Sequence, residues 1–131
     1  MRRAGLLLAL AGALTACGDD GVAPTVSNLT VSSTRGVSGL ESFLRATVED
    51  PEGDLAQGML HVTARAVSGG LELDASTPIL DFEDGRTRGD VVVGFTLFGR
   101  APIGVYAVEL VAEDEAGRRS EPAAVEVDFS R

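Results

Sequence analysis

From residue 25 onward, apolar residues recur at every second position in short runs, and a turn signal ends each run. Leu44, Ala46 and Val48 alternate with Arg45, Thr47 and Glu49, and Leu60, Val62, Ala64 and Ala66 alternate with His61, Thr63 and Arg65. The runs Val91-Val93-Phe95-Leu97, Tyr106-Val108-Leu110-Ala112 and Val125-Val127-Phe129 repeat the pattern. Successive side chains of a strand point to opposite faces, so a period of two gives each run one apolar and one polar face. The 3.6-residue period of an amphipathic helix is sustained nowhere in this stretch. Val26, Leu29 and Val31 suggest one more strand at the start. The region from 71 to 82 is less regular, with Leu71-Leu73 and Ile79-Leu80-Phe82 as short candidates.

The turn signals are Asp50-Pro51-Glu52-Gly53, Ser68-Gly69-Gly70, Glu83-Asp84-Gly85, Pro102-Ile103-Gly104 and Glu115-Ala116-Gly117. Glycine supplies positive φ at such places, and Asp and Pro pre-set the local backbone. About seven short strands punctuated this way predict an all-β chain, an immunoglobulin-like two-sheet sandwich over residues 25–131. A hydrophobic fraction of 44% is enough to build its core.

Ahead of this domain, Arg2 and Arg3 precede an unbroken apolar run from Ala4 to Leu14, which Thr15, Ala16 and Cys17 close. A basic head and a short apolar core are the layout of a secretory signal. As a helix the run reaches roughly 16 Å, against a hydrocarbon core of about 30 Å, so it is too short for a permanent span. Leu14-Thr15-Ala16-Cys17 resembles the lipobox of bacterial lipoproteins, in all four positions and at the right distance from the apolar run. The resemblance implies a diacylglyceryl thioether on Cys17, cleavage before it and acylation, usually with palmitate, of the new amine. Residues 1–16 are then a signal peptide. Residues 17–24 form a lipidated tether, which their small, polar and Pro-terminated composition predicts to be flexible. Gly18, where an Asp would favour inner-membrane retention, makes outer-membrane delivery the default expectation.

Two further stretches carry a second resemblance. Gly104-Val105-Tyr106 with Asp114-Glu115-Ala116-Gly117, and Asp50-Pro51-Glu52-Gly53-Asp54, are similar to motifs of bacterial Ig-like domains, shared by cadherin-like, fibronectin-like and polycystic-kidney-disease-type modules. The resemblance places Tyr106 as a tyrosine-corner residue, with its ring in the core and its hydroxyl bonded to nearby backbone. There is no Cys–Trp–Cys core, because the chain has one Cys and no Trp.

Charge removes several function classes. The net charge is −9, and loss of Arg2 and Arg3 with the leader leaves nine basic against twenty acidic residues. Phosphate backbones repel such a surface, so nucleic acid is not an expected partner. Flat docking on anionic lipid is disfavoured too, so the lipid on Cys17 must provide the membrane attachment. The lone His61 is expected to face solvent, opposite Leu60 and Val62. No Gly-x-Ser-x-Gly elbow supplies a nucleophile, and Cys17 is consumed by lipid. With one Tyr and no Trp, sugar-binding platforms are missing, so carbohydrate chemistry is the weaker alternative.

The acidic turns leave two readings open. In the expected topology the loops after the second and sixth strands share a pole, which brings Asp50, Glu52 and Asp54 toward Glu113, Asp114 and Glu115. Calcium takes six to eight oxygen ligands, and Asp50, Glu52, Asp54 and Asp114 are its candidate ligands here. Plain turn chemistry explains the same residues without any ion. The expected protein is a monomeric, non-catalytic binding or structural module at the bacterial envelope, anchored through Cys17, with an envelope protein as the kind of partner to seek. A calcium-stabilised spacer or adhesion domain is the alternative.

Overall fold

The computed structural model of the chain describes residues 21–35, 39–80, 82–98 and 103–129. The expected signal peptide, Cys17 and the first part of the tether lie outside the described residues, as does Pro102. Among the described residues there are seven strands: β1 (Thr25–Arg35), β2 (Gly39–Glu49), β3 (Met59–Ala66), β4 (Glu72–Pro78), β5 (Arg88–Phe98), β6 (Gly104–Glu113) and β7 (Ala123–Phe129). They form two antiparallel sheets, one in the order β1-β2-β5 and the other in the order β4-β3-β6-β7. This is the all-β two-sheet sandwich that the alternation predicts.

The apolar faces meet as expected. Leu44, Ala46 and Val48 of β2, Leu60, Val62 and Ala64 of β3, and Tyr106, Val108, Leu110 and Ala112 of β6 are all buried in one core. Tyr106 is fully buried, with its ring centroid 6.5 Å from that of Phe129 in a tilted arrangement. Burial holds its phenol pKa above the ordinary value, so the group stays neutral.

Two departures from simple alternation have local causes. Val26 and Val31 pair with Val48 and Leu44, which face the same way, although the two valines are an odd five positions apart. A bulge between Ser27 and Thr30, with Asn28 at φ 55°, inserts the offset that turns both valines inward. The second departure is β4. Its Leu73, Ala75 and Thr77 share a face with the buried Ala64, Val62 and Leu60, yet Leu73 and Ala75 are exposed and Thr77 is only half-buried. β4 and β5 are edge strands of the two sheets, and Ala75 and Thr77 line an open groove with Val92 instead of closing onto the core. Of the short candidates, Leu71 immediately precedes β4 and Leu73 belongs to it. Ile79-Leu80-Phe82 is not a strand; Ile79 and Phe82 are buried from a loop while Leu80 is exposed.

Candidate cation-binding pole

Three loops meet at one end of the sandwich and are fastened to each other by backbone hydrogen bonds. After β2, the Asp50 N–H donates to the Thr87 carbonyl (2.8 Å) and the Gly53 N–H to the Asp50 carbonyl (3.0 Å). Asp50 Oδ1 accepts the Glu52 N–H at 3.1 Å, the local turn that Asp favours. Gly53 has φ +68°, and a Cβ there would lie 2.8 Å from the Gly85 backbone, so only glycine lets these loops approach. After β6, the Asp114 N–H donates to the Arg118 carbonyl (2.9 Å), and Asp114 Oδ1 accepts the Arg118 N–H (2.8 Å). The Glu115 N–H then donates to the Asp54 carbonyl (2.9 Å), stapling the two acidic turns together.

This framework converges four carboxylates. One oxygen from each of Asp50, Glu52, Asp54 and Asp114 lies within 4.8 Å of the others. Asp50 is 0% and Asp114 2% exposed, Asp54 is half-buried and Glu52 is exposed. The four residues singled out from the sequence are therefore brought together. Glu113 is not among them: it closes β6 on the outer face, where it accepts from Arg119 Nε and meets His61 Nε2, both at 2.9 Å. Those two neighbours, His61 first, hold the Glu113 pKa below the ordinary value. Glu115 is exposed and contributes its backbone staple.

Arg118 is the residue that sequence reasoning missed. Its Nε donates to Asp114 Oδ2 at 3.1 Å, and its Nη2 donates to Glu52 Oε1 and lies 3.6 Å from Asp54 Oδ2. The guanidinium thus acts as a resident counter-ion among acids that would otherwise repel one another. Its position four residues after Asp114, across a Gly turn, was the available signal.

One positive charge against four carboxylates leaves the pole under-compensated. Asp50 Oδ2 and Asp54 Oδ1 are buried with no hydrogen-bond partner. A proton shared with the Asp50 carboxyl favours the protonated form, and with burial and then the Asp50 charge it raises the Asp54 pKa above its ordinary 3.8. Either a shared proton or a cation would satisfy these oxygens. The sign of the pH effect follows. An acid whose folded-state pKa is raised destabilises the fold while ionised, and the penalty fades as pH falls through that raised pKa toward 3.8. Asp54→Asn is expected to raise stability at pH 7, with the gain over wild type shrinking on acidification. Urea melts across that range check it; a gain that grows toward low pH would contradict the assignment.

His61 lies on the outer sheet face as expected and is 22% exposed in its side chain. Its Nδ1 meets Ser76 Oγ at 2.8 Å. Thr63 donates to Asp74 and Arg65 to Glu72 from the next rungs of the same face, so the His61–Ser76 contact continues a ladder of cross-strand polar pairs.

No protein-family description and no curated protein matches this sequence. Several solved structures are similar to it. The PKD domain of an M14-like peptidase from a Thermoplasmatales archaeon is 17% identical, over 85% of this chain and 99% of that one, with a TM-score of 0.49. A β-glucuronidase 2 of Bacteroides uniformis is 14% identical over 86% of this chain, with a TM-score of 0.53; the match spans 13% of that enzyme. A Niemann-Pick type C2 protein of the Japanese carpenter ant is 10% identical over 84% of this chain and 95% of its own, with a TM-score of 0.51. The last two likenesses concern the fold alone and agree with its two-sheet β-sandwich architecture.

Proposed function

We propose that the chain is a lipid-anchored, non-catalytic Ig-like module of the bacterial cell envelope, serving as a structural or binding unit held close to a membrane. The observation that carries this reading is how the residues behind Cys17 enter the domain. Pro24 is buried, the Val22 N–H donates to Glu52 Oε1 at 3.1 Å, and Gly21 lies against the Arg118 guanidinium. Gly21, Val22 and Pro24 of the expected tether are therefore held to the domain, and an anchor on Cys17 would hold the acidic pole toward the bilayer. Two acyl chains make a stable attachment without help from an acidic protein surface.

Labelled fatty acid supplied to the expressing bacterium tests this. The chain is expected to incorporate label and partition into detergent, and Cys17→Ser is expected to lose all incorporation with the domain still folded. Label retained in the variant would sink the reading.

A second reading is favoured by the two partnerless buried oxygens of Asp50 and Asp54. In it the pole takes a calcium ion on Asp50, Glu52, Asp54 and Asp114, and the domain is a cation-stabilised spacer. An ion that binds only the folded state raises its stability by mass action. Excess calcium should therefore raise the melting temperature, and an unchanged melt would count against this second reading.

A further inference from the structure

The side chains of the acidic pole also hold the residues that lead into the domain. Glu52 Oε1 accepts the Val22 N–H and the Arg118 Nη2 donor together. A Cβ built on Gly21 would lie 2.0 Å from Arg118 Cζ, so the Gly21 backbone is packed directly onto the guanidinium. Gly21 and Val22 are thus fastened by Glu52, a member of the carboxylate cluster, and by Arg118, its counter-ion.

Resting on the calcium reading, we propose that the pole is a cation-operated latch: a divalent cation entering among Asp50, Glu52, Asp54 and Asp114 displaces Arg118 and releases Gly21 and Val22 from the domain. The cluster is more than an acidic surface, since Asp50 is 0% exposed and its Oδ2 has no hydrogen-bond partner. Arg118 already uses oxygens of Glu52 and Asp114 and approaches Asp54, three of the four ligand residues. A dication at their centre would repel the guanidinium and compete for those oxygens. Once the Glu52 carboxylate turns to the ion, the Val22 amide loses its acceptor and Gly21 loses the surface it lies on.

Freeing two residues adds about 7 Å of reach ahead of Ala23, at 3.3–3.6 Å per extended residue. A domain held against the bilayer would gain reach and orientational freedom when the cation is abundant. Coupling is reciprocal: if the cation weakens tether docking by some factor, tether docking weakens cation binding by the same factor.

That reciprocity supplies the test. Calcium affinity is measured by calorimetry, and amide exchange at Val22 by hydrogen–deuterium exchange, on the full chain as expressed. Gly21→Val cannot seat against Arg118, and Val22→Pro removes the donated N–H; both lie ahead of β1 and leave the four carboxylates in place. Arg118→Gln removes the competing cation. All three are expected to bind calcium about fivefold or more tightly than wild type. Calcium should speed exchange at Val22 in the wild type.

Calcium binding with Val22 exchange unchanged, and equal affinity in Gly21→Val and Val22→Pro, would overturn the latch while leaving the cation site standing. No calcium binding in the wild type or in Arg118→Gln would overturn both.

Discussion

Truncating Tyr106 to alanine is expected to cost about 3–5 kcal/mol of folding stability, the largest single loss on the chain. Among the described residues Tyr106 is the largest fully buried side chain, and it lies where β3, β6 and β7 meet, paired with Ala66 and Val127 and tilted against Phe129. Removing the ring deletes apolar contacts and leaves a cavity between sheets that strand ladders hold in place, so collapse around it is limited. A domain of this size has only about 5–15 kcal/mol in hand, so the variant should sit near the edge of folding at physiological temperature. In urea the midpoint should fall with the slope unchanged, since the surface exposed on unfolding hardly alters. Tyr106→Phe keeps the ring and isolates the hydroxyl; its loss should be about 1 kcal/mol. A loss of 1 kcal/mol or less for the alanine variant would contradict the placement of Tyr106 at the centre of the core.

The second large effect is expected at Asp114. Its carboxylate is fully buried and accepts both the backbone N–H and the Nε of Arg118, which fixes the β6–β7 turn and aims the guanidinium at Glu52 and Asp54. Asp114→Ala removes both acceptors, frees Arg118 from its position and leaves Asp50, Glu52 and Asp54 less well neutralised. The loss is expected to be about 2–4 kcal/mol, somewhat moderated because one like charge leaves the cluster. Asp114→Asn keeps an oxygen for the Arg118 N–H and should lose less. Equal stability of Asp114→Ala and wild type would mean that Arg118 does not organise the pole.

The strands legible in the sequence were those with one face on the core. β2, β3, β5, β6 and β7 each alternate because a sheet covers their inner side. β4 carried little signal for the converse reason. Leu73, Ala75 and Thr77 face inward, but β4 is an edge strand bordering an open groove, so burial never demanded large apolar residues there. Ile79 and Phe82 misled in the other direction, since a loop can bury apolar side chains without strand periodicity. The bulge at Asn28 explains why Val26, Leu29 and Val31 never fitted a period of two.

At the pole, topology sufficed to bring Asp50, Glu52, Asp54 and Asp114 together, because strand ends of matching direction deliver their turns to one end of a sandwich. Which acids turn inward depends on single-residue phase. Glu113, one residue earlier, belongs to the outer face and is held by His61 and Arg119. Arg118 escaped notice because its role rests on three contacts that no local pattern encodes. The docking of Gly21 and Val22 was hidden for the same reason, since composition alone reads Gly18 to Pro24 as an unattached linker.

The most direct test of the whole account is the intact mass of the chain recovered from bacterial membranes. The expected mass is that of a chain lacking residues 1–16, beginning at Cys17 and carrying a diacylglyceryl thioether with or without a third acyl chain. A mass equal to the unmodified polypeptide, whether full-length or cut elsewhere, would contradict it.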